Sequence, residues 1–411
     1  MAYRPWVVPM LAGLLAVVLA AGVAGVAFTD SSRRWPSSTT PTRAAAPGAT
    51  STTANPSAAT TTPPAADSVE AFIPVAERFV EQHRGLTFKQ PPAVTFLDDA
   101  AFRDRLLGTE KQDKEQLDKT TKVLRALGLI PAGTDVGKAE SSLLGDAVAG
   151  FYDTKTKALV VRGAKATPYV RQVLVHELTH ALQDQYFAID HPELDNVDDE
   201  RPDGLQGLVE GDAVRVDGEY RASLSTAEQR QAAQEEDGQA GGVDPNVPDA
   251  LIAILAFPYQ VGPAFTKALI RAGGMSRLNA AFTSPPTTTE QLLHPNLYLA
   301  GEAPLPVTAP PADGKVIDTG VLGEFGFALV LGAAGQSGGP SARDVALART
   351  GWGGDRYVAW NQGSQACVRD RVAMDTANDT QELLNAFHQL AGTRRGLTIE
   401  GTGPVTITSC G

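Results

Sequence analysis

The segment TPYVRQVLVHELTHALQDQYF at residues 167–187 constrains the fold more than any other part of this chain. Its apolar residues recur at helical spacing, Pro168 suits a first helical turn, and Thr167 can cap that turn. The residues that flank the central HELTH are apolar, whereas an exposed helix would carry charges there. We therefore predict one long, buried helix around which the other elements pack.

The HELTH sequence places His176 and His180 four residues apart, so that both imidazoles lie on one face of this helix. Two histidines at this spacing can bind a single divalent metal ion such as zinc. Glu177 lies on an adjacent face, close enough to take a proton from a water molecule at the metal. We therefore predict a metal centre with Glu177 as its general base. The alternative is a pair of histidines that only make hydrogen bonds in the core.

A zinc hydrolase needs a third protein ligand and keeps one position open for water. Glu210 is our choice, because it lies in a second predicted helix, LQGLVEGDAVRVDGEY, between apolar residues that indicate burial. Asp212 or Asp217 in the same helix would accept a hydrogen bond from a ligand histidine and fix its tautomer. An exposed helical carboxylate at position 210 is the alternative. The other candidates for the third ligand are Asp184, Asp190 and His191.

The acidic balance of the chain excludes nucleic acid as a partner. The formal net charge is −12 and there is no cluster of Lys and Arg, whereas nucleic-acid binding requires a basic surface. With 411 residues, of which 43% are hydrophobic, the chain can bury one large core or two modest ones.

The N-terminal composition predicts export. Residues 1–30 contain an uncharged apolar run long enough to cross a bilayer, with small residues near its end, so a signal peptide and a transmembrane anchor both remain open. Residues 31–66 are almost entirely Ser, Thr, Pro and Ala, which predicts a disordered linker. We expect residues 67–411 to fold outside the cytoplasm, either membrane-anchored or secreted into the cell envelope. In an exported chain the two cysteines, Cys367 and Cys410, predict one disulfide, and a pair of structural thiols is the alternative.

Residues 147–162 read as a β-hairpin that leads directly into the HELTH helix. A strand beside a metal helix can hold an extended substrate by backbone hydrogen bonds, and an ordinary core hairpin is equally consistent with the sequence. Residues 223–249 are rich in Gln, Glu, Ala and Gly, and we predict a mobile loop there. From about residue 315 the pattern predicts a C-terminal α+β portion that could be a subdomain.

Four motifs, HELTHALQDQ, LVEGDA, PPTTTEQLLHP and GWGGDRY, together resemble a family of exported bacterial zinc metalloprotease-like proteins. The first two are also similar to thermolysin-type proteases, although the gap between His180 and Glu210 is longer here. The resemblance implies an α+β, zincin-like metallopeptidase domain, with the HExxH helix beside a small β-sheet and a C-terminal α+β portion. By position it implies that His176, His180 and Glu210 hold one Zn2+ ion. It further implies that Glu177 is the catalytic base and that His294 has a catalytic role.

The sequence therefore predicts hydrolysis of a protein or peptide substrate, including components of the cell envelope. Stabilisation of the developing oxyanion would come from His294, Tyr298 or Arg356. Two other functions remain open. One is a wall-associated binding or structural protein with a non-catalytic zinc site, and the other is a zinc amidase acting on cell-wall material, since its carbonyl chemistry is the same as that of a peptidase.

Overall fold

The computed structural model describes residues 67–109, 114–145, 148–240, 244–333 and 338–411. The predicted export segment and linker, residues 1–66, lie outside them. No helix in the described ranges combines the length and the apolar composition needed to span a bilayer. The described chain is a mixed α+β structure, as predicted.

The helices carry the labels α1 (Val69–Arg84), α2 (Asp99–Thr109), α3 (Lys114–Ala126), α4 (Val136–Gly145), α5 (Pro168–Phe187), α6 (Arg201–Ser223), α7 (Thr226–Ala240), α8 (Asp249–Ala281), α9 (Thr289–Leu293), α10 (Pro295–Ala300), α11 (Gly323–Gly332), α12 (Ala342–Arg349) and α13 (Ala377–Thr393). The strands are β1 (Ala93–Leu97), β2 (Gly150–Asp153), β3 (Ala158–Arg162), β4 (Lys315–Gly320), β5 (Trp352–Gln362), β6 (Gln365–Met374), β7 (Leu397–Glu400) and β8 (Val405–Cys410). One 3-10 turn lies at Pro192–Leu194.

The predicted HELTH helix is confirmed as α5. The hydroxyl of Thr167 accepts a hydrogen bond from the backbone N–H of Val170, and Pro168 occupies the first turn. The helix begins there because that cap satisfies a terminal N–H and proline has no N–H to satisfy. Every residue from Gln172 to Asp184 is buried, which matches the uncharged flanks of the motif.

A three-stranded sheet with the order β1-β3-β2 lies beside α5. The predicted hairpin is confirmed as β2 and β3, which pair antiparallel with Gly150 opposite Val161, while β1 pairs parallel to β3. All four residues of β2 are buried. The edge of this hairpin strand is therefore covered in the structure.

Helix α6 packs antiparallel on α5, since Gln172 contacts Asp217 at one end and Gln183 contacts Val209 at the other. Helix α8 crosses α6 at very short range. A Cβ added to Gly211 would lie only 2.2 Å from the carbonyl carbon of Gly262, so both positions need glycine for this approach.

The C-terminal portion forms a five-stranded antiparallel sheet in the order β4-β5-β6-β8-β7. The predicted disulfide is confirmed and joins Cys367 to Cys410, which are cross-strand partners on β6 and β8. Buried side chains of this sheet, such as Val368, belong to the same hydrophobic cluster as Leu208 of α6 and Phe257 of α8.

The predicted mobile loop at residues 223–249 is wrong over residues 226–240, which form α7. Ser225 and Glu228 cap this helix reciprocally, because the side chain of each accepts a hydrogen bond from the backbone N–H of the other. The Gln, Glu and Ala that suggested mobility are strong helix formers once a cap and a packing surface are present. Helix α8 follows, and its helical backbone is interrupted at Gly273 and Gly274.

Candidate metal centre

The structure brings the three predicted metal ligands together. His176 and His180 project from α5 and Glu210 from α6, and their ligand atoms all lie within 4.8 Å of one another. The Oε2 atom of Glu210 is 3.1 Å from Nε2 of His176 and 3.4 Å from Nε2 of His180. Each of the three residues is at most 1% exposed.

This arrangement fits a divalent metal ion. Nε2 of His180 is fully buried but makes no hydrogen bond, and leaving a polar atom in that condition is costly. Both imidazoles direct Nε2 at the same carboxylate oxygen, so a cation among these atoms would satisfy all of them. Two imidazole nitrogens and one carboxylate oxygen form a typical ligand set of catalytic zinc sites. In the part of the chain that the structure describes, no second group of three such residues is found.

The other nitrogen of each histidine is held by an oxygen acceptor. Nδ1 of His176 lies 2.6 Å from Oδ2 of Asp217, and Nδ1 of His180 lies 2.9 Å from Oε1 of Gln183. Gln183 in turn donates to Asp212. These acceptors favour a proton on Nδ1 and leave Nε2 available to a metal. Asp217 therefore contacts His176 directly, whereas Asp212 contacts His180 only through Gln183. The role of Gln183 was not predicted from the sequence.

Burial and neighbouring charges strongly shift the pKa values of His176 and Glu210. Burial alone would lower the pKa of His176, but the carboxylates of Asp217 and Glu210 outweigh it and raise this pKa to about 10. Burial alone would raise the pKa of Glu210, and the two imidazoles reverse that effect and lower it to about 2. The two histidines therefore keep Glu210 in its ionised, carboxylate form.

Glu177 is held by the hairpin. The backbone N–H of Tyr152 on β2 donates to Oε2 of Glu177 at 2.8 Å, and the glutamate side chain is fully buried. Burial raises the pKa of the Glu177 carboxyl to about 7, although the two histidines act in the opposite direction. Strand β2 therefore holds the side chain of Glu177, the predicted base, in place.

Tyr259 of α8 also belongs to this centre. Its hydroxyl donates to Oε1 of Glu210 at 3.1 Å, and its ring centroid lies 6.3 Å from that of His176. The tyrosine is buried. The sequence alone gave Tyr259 no particular place in the centre, because nothing local shows that α8 crosses α6 at Glu210.

His294 lies elsewhere in the fold, at the junction of α9 and α10. Its Nε2 is 3.0 Å from Oε2 of Glu324, a buried carboxylate on α11 that also pairs with Arg349. The contacts of His294 in the structure do not include the three metal-ligand candidates. Its predicted catalytic role remains a prediction.

The other candidates of the sequence analysis also have partners outside the centre. The pairs are Tyr298 with Ser284, Arg356 with Asp198, Asp184 with Lys157, and His191 with Glu193. Asp190 is exposed. Of the residues weighed as third ligand, only Glu210 joins the two histidines in the described structure.

Comparison with known protein families gives a match in the C-terminal portion. Residues 312–409 match the model of a domain of unknown function, DUF8575. The match covers the five-stranded sheet up to residue 409 and includes none of the three metal-ligand candidates. No curated protein and no solved structure matches the chain.

Proposed function

We propose that this protein is an extracytoplasmic zinc-dependent metallopeptidase with a zincin-like domain. One Zn2+ ion is held by His176, His180 and Glu210, and Glu177 is the general base. The observation that carries this proposal is the three-ligand group itself, with its ligand atoms within 4.8 Å of one another and a buried glutamate adjacent in sequence to one ligand.

The number of ligands supports catalysis over a purely structural site. Structural zinc sites are usually closed by four protein ligands, whereas catalytic sites have three and keep a position for water or substrate. The group found among the described residues has three members. A structural site also has no use for a base such as Glu177.

The chain's own residues then have distinct roles. When bound, zinc supplies Lewis acidity that polarises a scissile carbonyl and makes water a nucleophile at neutral pH. The carboxylate of Glu177 accepts the proton of the attacking water and passes it to the leaving amine. The N–H of Tyr152 orients this carboxylate, and Asp217 keeps the imidazole of His176 in the tautomer that presents Nε2.

The location outside the cytoplasm is supported by the disulfide between Cys367 and Cys410, because disulfides persist in oxidising compartments. The predicted export segment at residues 1–30 agrees with this proposal. The substrate is a protein or peptide, and components of the cell envelope are the first to test.

A second candidate function is a wall-associated binding or structural protein whose metal only stabilises the fold. The observation that favours it is the burial of the centre, since Glu177 and the three ligands are at most 1% exposed. A peptide reaches these atoms only if part of the structure moves.

Metal content and hydrolysis of a casein-type substrate by the purified chain, with Glu177→Gln in parallel, separate the two functions. We expect one equivalent of zinc in both proteins and turnover only in the parent. Glu193→Gln, an exposed carboxylate outside the centre, is the matched control and should keep full activity.

Zinc in both proteins with turnover in neither would favour the structural role. Absence of bound metal from the parent would contradict both functions. If casein is not cleaved, hydrolysis of purified wall fragments that depends on Glu177 would identify a zinc amidase.

A further inference from the structure

The two oxygen atoms of Glu210 have different partners. Oε2 faces Nε2 of His176 and Nε2 of His180, at 3.1 and 3.4 Å, and so points to the place where a metal would lie. Oε1 accepts the hydrogen bond of the Tyr259 hydroxyl at 3.1 Å. The carboxylate is thereby divided between a metal-facing oxygen and an oxygen held by the third helix of the site.

We propose that Tyr259 is a positioning residue that keeps Glu210 a one-oxygen ligand and so preserves the open coordination position of the metal. This inference rests on the metal centre assigned under the proposed function. If both oxygens of Glu210 bound the ion, the protein would occupy four positions instead of three. The place that catalysis needs for water or substrate would then be filled.

The surroundings of Tyr259 hold its hydroxyl in place. Its side chain is buried, and its ring stacks at 29° to the ring of His176. The helix that carries it is anchored to α6 by the close approach of Gly211 and Gly262. Gly211 directly follows Glu210, and Gly262 lies three residues after Tyr259. Rotation of the carboxylate toward two-oxygen binding would therefore break a charge-assisted hydrogen bond between two buried side chains.

The test replaces zinc by cobalt(II), whose visible absorption weakens as its coordination number rises. Tyr259→Phe removes the hydroxyl and keeps the ring. We expect this variant to bind one equivalent of cobalt with clearly weaker absorption than the parent, because Glu210 now contributes both oxygens. Its metal affinity, measured by competition with a chelator, should also fall by about 10- to 100-fold, as when other partners of metal ligands are removed.

Tyr220→Phe is the matched control, since Tyr220 is a buried tyrosine of α6 that packs against Phe72 and Phe79. Its cobalt spectrum should equal that of the parent. An unchanged spectrum in Tyr259→Phe would overturn the role of Tyr259 and leave the metal centre standing. A parent that binds neither cobalt nor zinc would overturn both.

A crystal structure of the zinc-loaded parent tests the inference without any variant, in case Tyr259→Phe does not fold. We expect Oε2 of Glu210 at a bonding distance of about 2.0–2.2 Å and Oε1 still on the tyrosine hydroxyl. Two bonded oxygens, or a Tyr259 hydroxyl turned away from Glu210, would overturn the inference.

Discussion

Asp217 shows how a single side chain prepares a ligand. Its carboxylate lies 2.6 Å from Nδ1 of His176, on the ring edge opposite the metal-facing nitrogen, and is almost fully buried. It fixes the ring orientation and makes the imidazole a better donor to a cation. In the proposed metal centre, the strength of metal binding would therefore depend on a residue that does not contact the metal.

We predict that Asp217→Asn lowers zinc affinity by about 10- to 100-fold, because the neutral amide of similar shape gives His176 a weaker acceptor. Chelator competition on the purified chain measures this change. Asp237→Asn, at an exposed position of α7, is the control and should bind zinc as the parent does. Equal affinities in all three proteins would show that Asp217 does not tune the site.

At the scale of elements, the crossing of α6 and α8 decides whether Glu210 meets its partners. The crossing is possible because Gly211 and Gly262 have no Cβ. We predict that Gly211→Ala lowers the free energy of unfolding by about 1–3 kcal/mol or more, since the new methyl group would push backbone against backbone. It should also weaken zinc binding by separating Glu210 from Tyr259. Urea unfolding and metal titration measure the two effects.

Gly218→Ala supplies the matched control within the same helix. A Cβ at Gly218 meets nothing within 4 Å. This change should raise the free energy of unfolding by about 0.4–1 kcal/mol, because alanine loses less backbone entropy than glycine on forming a helix. If both alanines had the same effect, the close approach would not be what holds the two helices.

In helix α9, the buried carboxyl of Glu290 should make the free energy of unfolding depend on pH. Burial, followed by the nearby charges of Glu324, Asp375 and Glu302, raises the pKa of Glu290 to about 9. The folded protein therefore holds a proton there that the unfolded chain loses near its ordinary value of 4.5. Since the folded state binds more protons, stability falls as the pH rises from about 4.5 to about 9.

Glu290→Gln removes this proton and should be more stable than the parent at pH 8 by about 1 kcal/mol or more, with the two proteins converging near pH 4. Urea unfolding across that range is the measurement. Glu115→Gln, at an exposed carboxylate of α3, should retain the slope of the parent. A parent and a Glu290→Gln variant with parallel profiles would contradict the raised pKa.

For the whole molecule, the disulfide is the covalent link between distant parts of the chain. It joins Cys367 to Cys410, which are 43 residues apart, and closing a loop of that length restricts the unfolded chain. We predict that replacing both cysteines by serine lowers the free energy of unfolding by up to about 4 kcal/mol. Zinc stoichiometry at saturation should stay the same, because the proposed ligands lie on α5 and α6.

Urea unfolding with and without reductant measures this effect. The parent should lose stability on reduction, and the double serine variant should not respond. Loss of zinc from the folded, reduced parent would instead show that the C-terminal sheet and the metal centre depend on each other directly.

Local sequence signals were sufficient to predict several elements of this protein. The helix of residues 168–187 follows from its apolar spacing, its threonine cap and its proline, and a helix places two histidines four residues apart on one face. The hairpin and the disulfide pairing were equally predictable. Residues 226–240 were not, because polar composition alone does not distinguish a loop from a capped surface helix.

What the sequence by itself determined is the donor set: two histidines at helical spacing, a neighbouring glutamate and a downstream glutamate in an apolar helix. Only the tertiary structure decided their partners. It is Asp217, and not Asp212, that contacts His176. Tyr259 contacts Glu210 although the two residues are 49 positions apart in the chain. The physical reason is that spacing within a helix is a property of the backbone, whereas contact between helices depends on their packing, here on two glycines that let α6 and α8 touch.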